Sequence, residues 1–257
     1  MEITVLAENT TECNMPVEHG LSLYIEVCGK KILFDMGETE LFSENAKKLG
    51  KDIGEVDTAI VSHGHYDHGG GLEKFLQINS KAKVYISRYA FEPHYNASGK
   101  YIGLKEELEK SSRLIFTNGV TNIDKGITLY DCNDMKKICV TEPFGLKAVH
   151  NGKITDDDFR HEQYLLIEKD GKKVLISGCS HKGIINIAEW FKPDVLVGGF
   201  HFFKLDAVDT LRAFALKLNS YNTEYYTCHC TGVEQYKFMK NYITKLSYIS
   251  TGKSIVI

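Results

Sequence analysis

The stretch DTAIVSHGHYDHGGGL, residues 57–72, decides how the rest of this chain is read. Its opening, near residues 58–61, is a short run of apolar residues, the pattern of a buried strand. That strand delivers the chain into a polar loop that packs His63, His65, Asp67 and His68 into six residues. In extended backbone, side chains two positions apart share a face, so residues 63, 65 and 67 are expected to point one way. Gly64, Gly69, Gly70 and Gly71 let the backbone turn tightly there, and His68, past the turn, faces a second point. Imidazole with carboxylate is the donor set of Zn, Fe or Mn sites that keep an open position for water. Tyr66 reads as a packing or lid contact rather than a ligand.

Working outward, three later segments repeat one pattern, an apolar strand ending in histidine. They are VLISGCSH (174–181), VLVGGFH (195–201) and YYTCHC (225–230). Strands of one sheet that all end in potential ligands place those ligands at one edge, where α/β folds build their sites. His181, His201 and His229 are therefore site candidates. Further apolar runs near 3–7, 21–27, 32–34, 84–87 and 164–167 read as strands. Stretches near 40–49, 71–77, 105–110, 184–191, 207–218 and 233–242 read as helices, with Gly50 and Pro193 as stops. An early strand-rich meander followed by alternating strands and helices predicts an α/β chain of packed sheets with helices outside. No Pro/Gly/Ser linker divides it, so one domain is expected over residues 1–257. Residues 89–158, rich in aromatic, Gly, Asn and charged residues with weak periodicity, read as an inserted lid or substrate-binding region.

Composition narrows the function classes. Of 257 residues, 43% are hydrophobic and 25% charged, an ordinary globular balance that argues against long disorder. A net charge of -3 gives no broad positive field for nucleic acid. No apolar run approaches the roughly 18 residues of a membrane span, and no basic segment followed by an apolar stretch opens the chain. The expectation is a cytoplasmic protein with a small-molecule substrate, no nucleic-acid or membrane partner, and an oligomeric state left open, a homodimer being permitted. Seven cysteines without a regular framework suit reduced thiols. Cys13, Cys28, Cys132 and Cys139 read as buried small hydrophobes. Strand alternation turns Cys228 and Cys230 away from the direction of His229.

HGHYDH (63–68) resembles the HxHxDH signature of the metallo-β-lactamase superfamily, and ILFDMG (32–37) resembles the strand and aspartate that precede it there. HGLS (19–22), GCSHKG (178–183), GGFH (198–201) and HCTG (229–232) resemble one branch. That branch holds the archaeal dihydropterin ribofuranosyl-aminobenzene phosphate synthase and bacterial hydrolase-like relatives. The resemblance implies an αββα sandwich, two mixed sheets flanked by helices, with two divalent ions, Zn before Fe or Mn, at one edge. It implies His63, His65 and His181 on the first ion, and Asp67, His68 and His229 on the second. It makes Asp35 the carboxylate that orients a ligating imidazole. Most superfamily members bridge their ions with an aspartate after a strand and Gly, where this chain has Cys179, so either Cys179 bridges as thiolate or no protein atom does.

Such a pair of ions holds a hydroxide at neutral pH and polarises a phosphoryl or carbonyl oxygen, so no side-chain nucleophile is required. Asp67 and His201 are the catalytic candidates, His201 to stabilise an anionic group or protonate a leaving oxygen. Tyr89, Phe91, His94, Tyr95, Lys100 and Tyr101 are candidates for a lid over a flat ring carrying phosphate. The expected activity is hydrolysis of a phosphate ester or related ester. The alternatives are a pterin-transferring synthase, a di-iron redox protein, and a metal-stabilised binding protein without turnover.

Overall fold

The computed structural model describes residues 1–257, which divide into two compact units. The first comprises residues 1–117, 145–157 and 250–257. Its seven-stranded sheet runs in the order Ser254–Val256, Glu2–Ala7, Ser22–Val27, Lys30–Phe34, Thr58–Val61, Lys83–Ser87 and Leu114–Thr117. The first four strands are antiparallel and the rest parallel. Cys28 and Gly29, both at positive φ, close the hairpin between Ser22–Val27 and Lys30–Phe34 in the sense that matches strand twist. Beyond Lys30–Phe34 the chain needs crossovers. The helices Leu41–Lys48 and Leu72–Ile78 supply them and bury Phe42, Ala46, Leu72 and Phe75 on a core that includes Leu33, Val61 and Val84.

The second unit comprises residues 118–144 and 158–249. Its sheet order is Leu246–Tyr248, Glu224–Thr227, Val195–Gly198, Lys172–Ile176, Tyr164–Lys169, Ile127–Tyr130 and Val120–Asp124. The first four are mutually parallel. Asp170 and Gly171, again both at positive φ, reverse the chain between Tyr164–Lys169 and Lys172–Ile176, which pair antiparallel. Ile184–Phe191, Val208–Asn219 and Val233–Met239 are its helices, with Ile187, Leu211, Leu218 and Met239 packed beside Leu175, Leu196 and Tyr225. Ile184–Phe191 ends at a left-handed Lys192 followed by Pro193, which cannot continue a helix.

These two mixed sheets with their helices are the expected α/β class. Residues 89–158 hold more regular structure than their weak periodicity suggests. Leu114–Thr117 closes one edge of the first sheet. Val120–Asp124 and Ile127–Tyr130 extend the second. His94–Tyr95, Lys147–His150 and Lys153–Asp156 form a small antiparallel sheet. The segment expected as a helix near 105–110 is a 3-10 helix, Glu106–Lys110. No helix is long and apolar enough to cross a membrane. The reading of four cysteines as buried is corrected. Cys13 and Cys28 are exposed and Cys132 and Cys139 half-buried, Cys28 because a hairpin tip has no neighbours to cover it.

Candidate metal centre

In the first unit the HGHYDH loop departs from uniform extension. His65 keeps extended backbone, then residues Tyr66–Gly69 wind into a helical turn, which carries Asp67 and His68. The strict alternation expected for residues 63, 65 and 67 therefore stops at His65. The glycines explain how the turn fits. A Cβ at Gly64 would sit 2.2 Å from the Ala90 carbonyl oxygen, and one at Gly70 2.1 Å from that of Glu38. Neighbouring backbone also holds the loop, with Leu21 N donating to Asp67 O at 3.1 Å and Met36 N to His68 O at 2.8 Å.

His63, His65, Asp67 and His68 are all buried. The His63 ring centroid lies 4.7 Å from that of His65 and 4.1 Å from that of His68, and His68 Nε2 is 3.6 Å from Asp67 Oδ2. The Nδ1 atoms of His63 and His68 are engaged by neighbouring side chains. Asp35, fully buried, accepts from Ser62 N at 2.6 Å and Ser62 Oγ at 2.7 Å, and its Oδ2 lies 2.7 Å from His68 Nδ1. Ser62 Oγ lies 2.8 Å from His63 Nδ1. A carboxylate that fixes one imidazole nitrogen leaves the other directed at a ligand, so this arrangement fits a divalent cation. Asp35 holds a left-handed backbone, φ 60°, a conformation that aspartate tolerates better than most residues. Burial, opposed by Asp157, keeps the His65 pKa below its ordinary value, so the ring is the neutral species that binds metal.

Sequence reasoning missed two groups here. Asp157 Oδ2 is 3.0 Å from His94 Nδ1 and 3.9 Å from His65 Nε2, all buried, so His94, expected on a lid, is an interior partner of Asp157. Half-exposed His19 places Nε2 3.4 Å from Asp67 Oδ2. Of the other lid candidates, Phe91 is buried against Phe116, Tyr95 meets Tyr101 edge to face, and Lys100 lies over the Tyr66 ring at 5.5 Å.

In the second unit, the strands Lys172–Ile176, Val195–Gly198 and Glu224–Thr227 run parallel and adjacent. Their C-terminal ends therefore share an edge, and Cys179, His181, His201 and His229 follow from it. The Cys179 sulfur is within 4.8 Å of ligand atoms of His181, of His229, and of the pair His201 and Cys230. Ser180, His201 and His229 all take positive φ, 62°, 55° and 49°; non-glycine residues in that region cluster at functional sites. His181 stacks on Phe159 at 4.5 Å and its ring centroid is 4.3 Å from that of His201.

The strand alternation expected around His229 is corrected. The strand ends at Thr227 and residues His229–Thr231 form a 3-10 turn, so the two-residue period lapses and the Cys230 sulfur joins Cys179 and His201. Burial resists ionisation of that thiol. Hydrogen bonding with Cys179 and His201 and the charges of His229 and His201 outweigh it and hold the thiol well below its ordinary range.

Fully buried Glu162 organises the Cys179 loop. Its carboxylate accepts from His181 N at 2.7 Å and Lys182 N at 3.0 Å and from the Tyr164 hydroxyl. The Lys182 ammonium, its pKa lowered by burial, donates to Asp131 O and to Glu162 O. His161, also fully buried, was passed over in the sequence. The signal was present in the Asp170-Gly171 reversal, which makes residues 164–169 antiparallel to 172–176. A histidine just before the first strand then lies at the same edge as Cys179 just after the second.

A two-unit mixed α/β chain with this histidine and aspartate loop defines a metal-binding hydrolase-type fold, and the comparisons with known proteins agree. The model of the metallo-beta-lactamase superfamily matches residues 15–220, and the chain belongs to that superfamily. Over 99% of this chain and 96% of the relative, it is 31% identical to 7,8-dihydropterin-6-methyl-4-(beta-D-ribofuranosyl)-aminobenzene-5'-phosphate synthase of Methanocaldococcus jannaschii. It resembles the crystal structure of Tm1679, described as a metal-dependent hydrolase of the beta-lactamase superfamily, with TM-score 0.83 and 30% identity over 100% of this chain and 99% of that one. YhfI from Bacillus subtilis, described as a metallo-beta-lactamase fold protein, shares the fold at TM-score 0.62 and 14% identity, with coverage of 99% and 98%.

Proposed function

We propose that this protein is a metal-dependent hydrolase of a phosphate ester or related ester. The observation that carries the reading is the group of three buried imidazoles, His63, His65 and His68, with Asp67, two of them oriented from behind by Ser62 and Asp35. In this reading His63 and His65 hold one divalent ion and Asp67 and His68 a second, with His181, His229 and Cys179 completing the set as the family resemblance implies. His161, buried at the same sheet edge as Cys179, joins them as a candidate ligand. Zinc suits this donor set best, with iron or manganese as alternatives. Divalent ions bound there supply a water nucleophile at neutral pH and polarise the scissile oxygen.

The chain's own groups do the rest. Asp35 and Ser62 fix imidazole tautomers, Asp67 accepts a proton or orients water, and His201 donates to the leaving oxygen. All seven cysteines are free, which suits a reducing cytoplasm. A lid role for residues 89–158 belongs to the same proposal. A synthase resembling the M. jannaschii protein is the second reading, favoured by 31% identity along the whole chain. The test is elemental analysis of protein purified without added metal, with turnover of aryl phosphodiesters, phosphomonoesters, carboxylic esters and pterin diphosphates before and after EDTA. Hydrolysis abolished by EDTA and restored by Zn is expected. Metal-bound protein inert toward every ester but active on the pterin diphosphate would replace the first reading with the second.

A further inference from the structure

A cavity of about 350 Å³ lies wholly within the second unit, of a size that accepts a one- or two-ring ligand. Its walls are mostly aromatic and aliphatic, with Phe144, Phe200, Phe202 and Phe214 among them, and His181 and His201 form part of the lining. Phe202 and Phe214 stack at 5.5 Å and 14°, and Phe200 meets Phe202 edge to face at 6.1 Å, so the aromatic wall is fixed by mutual packing. No lysine or arginine lines it, and Glu142 is its one carboxylate. Away from the His181 edge, where a proposed ion would sit, the lining offers a phosphate dianion no cation to replace its lost hydration. The apolar walls instead favour an uncharged hydrocarbon ring. One polar feature is left over: His201 Nδ1 is buried and has no hydrogen-bond partner. A buried imidazole nitrogen in that state is completed by a ligand's donor or acceptor.

We propose that this cavity holds the uncharged, aryl-sized end of the substrate, seated among Phe200, Phe202 and Phe214 and hydrogen-bonded by His201 through its ester-side oxygen. The inference rests on the hydrolytic reading for the word substrate. The binding of a neutral aromatic ring to the cavity does not depend on it. Any phosphate of the substrate then lies outside this cavity, and specificity is set by ring size rather than by charge.

Thr210, an exposed residue of the helix Val208–Asn219, lines the cavity and offers a way to fill it without touching a proposed ligand. The experiment measures 2-naphthol binding by calorimetry, and kcat/KM for 2-naphthyl and methyl esters of one acid, in wild type, Thr210→Trp and Phe214→Ala. In Thr210→Trp, 2-naphthol affinity and the naphthyl-over-methyl preference should fall about ten- to hundredfold, the loss expected for expelling one buried ring. Methyl ester turnover should stay within about twofold, well below that loss. Phe214→Ala should shift preference toward larger rings. Equal 2-naphthol binding in wild type and Thr210→Trp, or an unchanged preference, overturns the assignment. Naphthol binding that Thr210→Trp abolishes, in a protein that hydrolyses no ester, supports the cavity and refutes the hydrolytic reading instead.

Discussion

Replacing Asp35 by Asn tests whether the imidazoles of the HGHYDH loop are set up as ligands. Asn tolerates the left-handed backbone found at position 35, φ 60°, so the change isolates the carboxylate from backbone strain. The two carboxylate oxygens do different work: Oδ1 accepts from Ser62 N, and Oδ2 faces Ser62 Oγ and His68 Nδ1. An amide has only one acceptor oxygen. Turned toward His68, it leaves its NH2 against the Ser62 N–H, two donors facing each other. Turned the other way, it presents NH2 to His68 Nδ1, which forces the proton onto Nε2, the nitrogen meant for metal. Either outcome removes a charge-assisted hydrogen bond, a loss of about 1.5–3 kcal/mol in the metal-free protein. Metal affinity should drop about ten- to hundredfold, roughly 1.4–2.8 kcal/mol. Chelator competition gives the affinity and urea unfolding of the EDTA-treated protein gives the stability. A folded Asp35→Asn variant that binds Zn as tightly as wild type would refute the orienting role and weaken the ligand assignment of His68.

Three further outcomes are expected. His65→Ala should lose metal and activity together, and elemental analysis showing normal metal content with normal turnover would remove His65 from the site. Because burial keeps the folded His65 pKa below its ordinary value of 6.5, the unfolded chain binds the extra proton first as pH drops. In EDTA-treated protein this contribution is intact above about pH 6.5 and is lost progressively below it, so Tm should fall less steeply with acid in His65→Gln. Iodoacetamide at pH 8 followed by mass spectrometry should label exposed Cys13 and Cys28 quickly and spare Cys132, whose thiol is pushed up to about 12 by burial and the neighbouring carboxylates. Labelling of Cys132 at a comparable rate would contradict its enclosure.

Legibility in the sequence followed the strength of local signals. The stretch 57–72 was readable because an apolar strand, clustered imidazoles and glycines coincide within sixteen residues, and Thr58–Val61 forms as expected. The helix Ile184–Phe191 matched its expected limits because Pro193 allows no continuation. Around Cys230 the premise of strand alternation fails because a 3-10 turn takes over after Thr227, although Cys230 and His229 still belong to different groups of ligand atoms. The pairing of His94 with Asp157 joins residues sixty-three apart through short strands whose polar composition hides any two-residue period. Ser254–Val256 escaped notice since three residues carry too little periodicity; the strand exists because Glu2–Ala7 offers a free edge. Glu162 has no clear sequence signature, since besides the Tyr164 hydroxyl its partners are backbone N–H groups nineteen and twenty residues away.

The close backbone contacts at Gly64, Gly70 and Gly71 have an evolutionary corollary. An added methyl would press on the main-chain oxygens of Ala90, Glu38 and Met36, and those atoms stay put whatever side chains their residues carry. Drift in the surrounding side chains can therefore accumulate while the loop keeps its shape, whereas even alanine at these three positions must push main chain apart. A deep mutational scan should show columns intolerant even of alanine at residues 64, 70 and 71, whereas half-buried Glu38, which meets Gly70 only through its main chain, accepts replacement.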